Sequence, residues 1–206
     1  MKHTRLWKIG GFISGAVLIV FGAVALYLGV NGYQTVSNEL SNEAIVGGSD
    51  MSPAEIQKAV SEAGLPETTE LPTCDVVDES IDTGSEARCF AQYMRIHALE
   101  ASGGLTYAQM GRFQSSANPD DPAGTSDETA AAKDESGQPI SNGARNLWVT
   151  ETALATALNV SYMAEQLSIF SIVVGIALVL TGIGLVILAL AVFGRSGPET
   201  EAPVAV

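Results

Sequence analysis

The side chains in this sequence that are best suited to chemistry are one histidine and two tyrosines in its central part. His97 could act as a base, a ligand or a pH switch, because the charge of an imidazole changes near neutral pH. Tyr93 lies one helical turn before it, and Tyr107 follows ten residues later. We therefore predict a candidate polar site at Tyr93, His97 and Tyr107. The alternative is that His97 is a packed helix residue with local hydrogen bonds.

No complete catalytic set accompanies this histidine. A nucleophile needs a base and an orienting group, and the other histidine, His3, belongs to the N-terminal tail. The sequence contains no Gly-x-Ser-x-Gly elbow, phosphate-binding loop, dinucleotide fingerprint or His-Glu-x-x-His motif. The acidic stretch "NPDDPAGTSDE" does not have the spacing of a calcium-binding helix-loop-helix motif. We predict no catalytic residue, no metal site and no cofactor.

The two cysteines, Cys74 and Cys89, are the chain's only thiols. An oxidising exterior would join them as a disulfide, and closing a loop of about 15 residues stabilises a fold by roughly 3 kcal/mol. The alternatives are a metal-binding pair or two free thiols, but two ligands are too few for a structural zinc site. We predict the disulfide.

Two uncharged apolar stretches flank this central part, Ile9 to Val30 and Ile169 to Phe193. Each is long enough to cross the hydrocarbon core of a bilayer as a helix, which takes about 20 residues. A cleaved signal peptide is the alternative for the first stretch, but a signal core is usually only about 7–15 residues long. The sequence predicts two membrane helices, over residues 9–30 and 167–193.

Basic residues next to the two helices predict the orientation of the chain. Lys2, Arg5 and Lys8 precede the first helix, and Arg195 follows the second. Because basic flanks stay in the cytoplasm, the tails 1–8 and 194–206 are predicted to be cytoplasmic. Residues 31–166 are then predicted to form an extracytoplasmic domain of a two-pass membrane protein.

Both membrane helices carry small residues seven positions apart. The first stripe is Gly15, Gly22 and Gly29, and the second is Ser168, Gly175, Gly182 and Ala189. Small residues allow close approach of two backbones in lipid, and a seven-residue period indicates a left-handed crossing. We predict an antiparallel hairpin that buries both stripes. A homo-oligomer or a larger membrane partner could use the same stripes.

The domain between the helices is acidic and is predicted to be mostly helical, which makes the fold class all-α. It has 21 acidic and 6 basic side chains, a balance of −15, which would repel nucleic acid. Helices are predicted from Ser52 to Gly64, from Ser85 to Gly103 and from Ala144 through Phe193, with a flexible loop at 115–143. Arg88, Gln92 and Arg95 share one face of the second helix and form a candidate partner surface. The alternative is that they form internal salt bridges to the acidic loop.

Two segments carry a resemblance to a known group of proteins. "HALEASGGLTYAQM", within Ala87 to Phe113, and "RNLWVTETALATALNVSYMAEQL" from Arg145 resemble two-pass membrane proteins of high-GC Gram-positive bacteria. Members of that group are often labelled aromatic ring-opening dioxygenases. A non-haem iron oxygenase typically uses two histidines and a carboxylate, a set that the central part of this chain lacks. The resemblance therefore implies a topology and a bacterial setting, and no catalytic residue carries over.

These features favour a noncatalytic protein, a scaffold or accessory subunit that binds another membrane or envelope protein besides the bilayer. The second hypothesis is an extracytoplasmic sensor with a ligand pocket around Tyr93, His97 and Tyr107. The short tails hold no output domain, which counts against autonomous signalling. An enzyme is the third hypothesis, and it would need a polar cluster and a cavity at His97.

Overall fold

The computed structural model describes residues 2–194 of the chain. In order, the helices are α1 (Lys2–Asn42), α2 (Pro53–Glu62), α3 (Gly84–Ala101) and α4 (Gly143–Gly194), with one 3₁₀ turn at Tyr107–Gln109. Within the described residues, β-pairing is limited to isolated bridges. The predicted all-helical class is confirmed. The C-terminal tail from 195 and its Arg195 lie outside the described residues.

The chain divides into two compact units. The helix-pair unit comprises the described residues up to 33 and from 167 onwards, and the central unit comprises residues 34–166. The helices α1 and α4 contribute residues to both units. Among the described residues, these two helices are long and apolar enough to cross a membrane.

Small residues lie where α1 and α4 meet in the helix-pair unit. A β-carbon built on Gly15 would lie 2.7 Å from the carbonyl oxygen of Gly182, and one built on Gly22 would lie 2.7 Å from that of Gly175. Further along, a β-carbon on Gly29 would lie 2.8 Å from the carbonyl oxygen of Ser168. Real β-carbons almost never come this close to another atom, so each contact requires glycine.

Many large apolar side chains of the helix-pair unit lie on its outer surface, away from this contact. The exposed ones include Val20, Phe21, Leu28, Phe170, Val173, Leu180 and Ile187. In contrast, Gly15, Gly22, Gly29, Gly175 and Gly182 are buried. Glycine therefore lies at the closest contacts between the two helices, and large apolar side chains cover the outside of the unit. This arrangement is compatible with membrane insertion.

Helix α3 lies at the centre of the core of the other unit. Its Ala87, Tyr93 and Ile96 are buried against side chains from the other elements of the unit. The main buried residues from those elements are Leu40, Met51, Ile56, Val60, Val76, Ile81 and Leu158. Cys74 and Cys89 lie at disulfide bonding distance, with sulfur atoms 2.07 Å apart. This bond ties the loop before α3 to α3 itself.

Helix α1 is longer than the sequence analysis predicted. The apolar stretch ends at Val30, but the helix continues to Asn42. The reason is tertiary packing, because Val36 and Leu40, one turn apart, contact the core of the central unit. Two apolar residues in a polar stretch were too weak a periodic signal to predict this extension.

The predicted starts of the other helices agree with the capping contacts. The Ser52 hydroxyl accepts a hydrogen bond from the Glu55 amide, with Pro53 in the first turn. Helix α3 begins one residue earlier than predicted, because Thr83 and Glu86 form a reciprocal capping box. Asn142 caps α4 by accepting a hydrogen bond from the Arg145 amide at 3.3 Å.

Segment 115–143, which was predicted to be a flexible loop, follows a path held by backbone hydrogen bonds. Phe113 and Thr125 exchange two such bonds, of 2.9 and 2.8 Å. Ala132 donates to Gln114, and Ile140 donates to Ala132. The short polar residues of this segment form turns, and backbone hydrogen bonds join its parts without forming regular strands. The mobility of this segment stays a prediction.

Candidate partner-binding grooves on the central unit

The predicted polar site is not assembled, and Tyr93 is the clearest case. Its ring is fully buried in the core, and its hydroxyl donates a 2.6 Å hydrogen bond to the carbonyl oxygen of Cys74. Burial, and secondarily the negative charge of Asp75, raises the pKa of Tyr93 above its ordinary value. This tyrosine is a packed core residue in contact with the disulfide loop.

His97 forms a local bridge at the surface of the same helix. Its Nδ1 lies 2.9 Å from Glu100 Oε2, and its Nε2 lies 3.5 Å from Asp50 Oδ2. Carboxylates therefore engage both ring nitrogens, which ties α3 to the loop before α2.

Tyr107 has a third environment. It lies on the 3₁₀ turn, where the Arg145 guanidinium sits over its ring at 4.1 Å from the centroid. Within residues 2–194, no hydrogen bond, ion pair or ring contact joins Tyr93, His97 and Tyr107 to one another. The sequence placed them on or near one helix, but their side chains turn to separate neighbours.

The predicted partner surface is exposed, although its two arginines are engaged with α4. The guanidinium of Arg88 lies 4.7 Å from the centroid of the Tyr162 ring, and that of Arg95 lies 5.2 Å from the Trp148 ring. Each contact is a cation–π pair of modest strength, about 0.5–1 kcal/mol at exposed sites. In the part of the chain that the structure describes, no ion pair links these arginines to segment 115–143. The salt-bridge alternative therefore gains no support from the described residues.

A buried carboxylate that sequence reasoning missed holds the start of α3 against α4. Glu165 is only 5% exposed, and its Oε2 accepts a 2.6 Å hydrogen bond from the Gly84 amide. Its Oε1 accepts a second bond, of 3.1 Å, from the Ser85 hydroxyl. A helix amino terminus favours a negative charge, because its first amides lack intrahelical partners. The available signal was the spacing, since Glu151, Leu158 and Glu165 recur every seven residues on α4.

The other end of α3 is fixed to α4 through a buried serine. Ser102, which follows the helix, is fully buried and accepts a 3.0 Å hydrogen bond from the Trp148 indole. Its own hydroxyl lies 2.7 Å from the Ala98 carbonyl oxygen. The two ends of α3 are thus held to α4 by polar contacts, and grooves remain between and beside these helices.

The first groove, which we call the α3–α4 groove, contains two members of the predicted partner surface, Gln92 and Arg95. It has a volume of about 420 Å³. Glu151, only 5% exposed, also lines it, and its carboxylate accepts a 3.2 Å hydrogen bond from Thr152. The remaining lining residues are Ala91, Thr152, Ala155, Thr156, Asn159, Val160 and Met163.

The second groove, which we call the acidic-rimmed groove, is larger, at about 660 Å³. It is bounded by the end of α1, by α3 and by α4 within the central unit. Its lining residues are Glu39, Leu40, Glu43, Ile45, Phe90, Met94, Leu154, Ala157, Leu158 and Ser161. Sequence reasoning missed this groove because two of its lining residues, Glu39 and Leu40, belong to the unforeseen extension of α1.

The acidic residues of segment 115–143 use their oxygens in local turns. Asp127 accepts hydrogen bonds from the hydroxyl and the amide of Thr129, which hold the pKa of this aspartate below its ordinary value. Asp134 does the same with Ser136 and Gln138, and its pKa is lowered as well. In the described range 2–194, no group of three His, Cys, Asp or Glu side chains could hold a metal ion.

Comparisons with protein-family models, curated proteins and solved structures find no match to the chain.

Proposed function

We propose that the chain is a noncatalytic two-pass membrane protein that serves as a scaffold or accessory subunit of an envelope complex. The observation that carries this proposal is the exposed apolar surface of α4 within an otherwise acidic central unit. Val160 is 54% exposed and Met163 is 64% exposed, and both line the α3–α4 groove. Contiguous apolar surface with polar neighbours is typical of a protein–protein contact.

Membrane insertion is supported by the inverted packing of the helix-pair unit. In water, the exposed Phe21, Phe170 and Leu180 would cost free energy, whereas in lipid they would be solvated. The close approach of Gly22 and Gly175 supplies dispersion contacts, which hold helices together where burial of apolar surface does not. We infer an antiparallel membrane hairpin with both termini in the cytoplasm and the central unit outside.

The contact with the partner is proposed at the α3–α4 groove because its chemistry resembles the mixed surface of a protein interface. Apolar Val160 and Met163 lie beside the polar Gln92 and Asn159. Met163 suits such a site, because its unbranched thioether adapts to irregular surfaces. Arg95, already ordered by its contact with Trp148, would lose little side-chain entropy when a partner binds.

The sensor and enzyme hypotheses have less support than the scaffold. Both required a pocket around His97, but this histidine contacts two carboxylates and the grooves described above are lined by other residues. A sensor would need another site, and both grooves have volumes within the range of small-molecule sites, about 300–1,000 Å³.

The proposed function is tested by purifying the tagged full chain from native membranes in a mild detergent. We expect mass spectrometry to find one envelope protein in stoichiometric amount. The double variant Val160→Lys/Met163→Lys should lose it, because two charges would enter the apolar contact. Ala153→Lys is the matched control, since Ala153 is exposed on the same helix and lines neither groove. Absence of a stoichiometric protein from the wild-type preparation would overturn the scaffold proposal.

A further inference from the structure

The acidic-rimmed groove has an apolar floor supplied by three helices. Leu40 comes from α1, Phe90 and Met94 come from α3, and Leu158 comes from α4. Leu154, also from α4, lines the groove with half of its surface still exposed. A concave apolar surface of about 660 Å³ can accept several large side chains from one face of a peptide.

The charge at the rim of this groove has one sign. Glu39 lies in the last turn of α1 and Glu43 directly follows its last residue, and both line the groove. Within residues 2–194, neither carboxylate makes a hydrogen bond or an ion pair, and no Lys, Arg or His lines the groove. The carboxyl end of α1 adds the partial negative charge of the helix dipole.

We propose that this groove binds a basic amphipathic helix belonging to the partner protein. Leucine-like side chains on one face of such a helix would fill the floor, and its Lys or Arg residues would reach Glu39 and Glu43. This inference rests on the proposed function and adds the chemistry of the partner to it. A second copy of the chain fits poorly, because the central unit carries 21 acidic and only 6 basic side chains. Anionic lipid headgroups are repelled for the same reason.

The first test uses a synthetic amphipathic helical peptide of leucine and lysine, with the full chain in nanodiscs of neutral lipid. Binding to empty nanodiscs is subtracted. We expect Glu39→Gln/Glu43→Gln to weaken binding about tenfold, because two rim charges are lost. We expect Ala157→Trp to abolish binding by filling the groove. The same peptide with glutamate in place of lysine should not bind.

Two matched controls separate the groove from the general acidity of the unit. Glu55→Gln/Glu62→Gln removes the same charge from exposed positions on α2, and Ala153→Trp adds the same ring to α4 outside the groove. Both should bind the lysine peptide within about twofold of wild type, because exposed charges away from the contact are screened. Equal weakening by the two glutamate pairs, or binding that survives Ala157→Trp, would overturn the proposal.

The second test uses native membranes and a photoreactive amino acid at position 157, with position 153 as the control. We expect position 157 to capture a protein segment that is rich in Lys and Arg and has an apolar helical stripe. Capture of a lipid, a small molecule or a second copy of this chain at position 157 would overturn the inference.

The two tests also separate this inference from the proposed function. If Ala157→Trp retains the stoichiometric partner and Val160→Lys/Met163→Lys loses it, the scaffold stands and the basic-helix inference is wrong. If wild type retains no partner but the peptide still binds in the groove with the expected variant pattern, the scaffold proposal fails and the binding chemistry of the groove remains.

Discussion

At the residue scale, Gly84 shows how a missing side chain sets the distance between α3 and α4. A β-carbon at this position would lie 2.7 Å from the Cα of Tyr162 and 2.8 Å from the carbonyl oxygen of Ser161. Both are backbone atoms of a helix, so neither can move aside cheaply. The same close approach lets the Gly84 amide reach the buried Glu165 carboxylate.

We expect Gly84→Ala to lower the free energy of unfolding of the central unit by about 1–3 kcal/mol, the usual cost of overpacking. Gly143→Ala is the matched control, because Gly143 also begins a helix but a β-carbon there would meet no atom within 4 Å. Thermal unfolding of the purified full chain in detergent measures both. Equal stability of the two variants would contradict the close packing of α3 on α4.

Tyr93 predicts how stability depends on alkaline pH. Its pKa is raised in the folded state above the ordinary value of 10.0, first by burial and then by Asp75. The folded state therefore holds this proton more tightly, so the stabilisation is complete below about pH 10 and is lost as pH rises through the folded pKa. Unfolding midpoints measured between pH 8 and pH 11, in steps of half a unit, should fall with a slope that Asp75→Asn makes shallower.

The control for this pH effect is Tyr93→Phe. This variant should be less stable at neutral pH by about 1 kcal/mol, since the Cys74 carbonyl loses its donor. The unfolding midpoint of this variant should also fall less steeply as the pH rises, because the contribution of Tyr93 is absent. A slope identical to that of the wild type would show that the phenol does not titrate during unfolding.

At the element scale, the contact between α1 and α4 in the helix-pair unit depends on which glycine is changed. A β-carbon on Gly182 would lie 2.7 Å from the Gly15 carbonyl oxygen and 2.7 Å from the Ile19 side chain. Gly184, two residues further along α4, has nothing within 4 Å of the same position. We expect Gly182→Ala to destabilise the helix pair by about 1–3 kcal/mol and Gly184→Ala to be neutral or slightly stabilising.

The measurement is a titration of the detergent-solubilised protein with SDS. Loss of energy transfer between dyes at the exposed positions Ile13 and Ile187 reports separation of the helices. Because both variants replace glycine with alanine in the same helix, they share any change in helix propensity. Indistinguishable curves for the two variants would mean that the glycine stripes do not form the contact.

The sequence predicted elements that carry local signals. Caps such as Ser52 and Asn142, whose bonds form within a few residues, marked the helix starts correctly. The end of α1 was wrong because its extension depends on the packing of Val36 and Leu40 against a distant core. Tertiary contacts of this kind leave little trace in a single polar stretch.

The candidate site was predictable only in part, for a related reason. Arg88, Gln92 and Arg95 do share an exposed helix face, as spacing alone implies. The sequence analysis did not predict which side chains of α4 are buried. Leu154 is half exposed, whereas Glu151 and Glu165 are buried. Hydropathy alone predicts that a carboxylate is exposed to solvent. The burial of Glu165 is explained by its partner, the start of α3, which the sequence of α4 does not reveal.

At the scale of the whole molecule, the two units follow opposite rules of packing. The central unit buries large apolar residues such as Ile56 and Tyr93, as a domain in water does. The helix-pair unit buries glycine and exposes large apolar side chains. The proposed membrane hairpin would account for both rules in one chain, with water around residues 34–166 and lipid around the helix pair.

The basic residues before the first apolar stretch predict the topology. Lys2, Arg5 and Lys8 favour the cytoplasm, which would place the central unit outside. An alkaline phosphatase inserted beside the exposed Asp120 should be active, since this enzyme folds only in an oxidising exterior. A green fluorescent protein at the same position should be dark, and the two reporters should exchange behaviour when fused to the C-terminus. Cys74 and Cys89 should resist thiol reagents until a reductant is added. A phosphatase that is active only at the C-terminus, or a mature protein whose mass lacks residues 9–30, would contradict the two-solvent explanation and the scaffold proposal together.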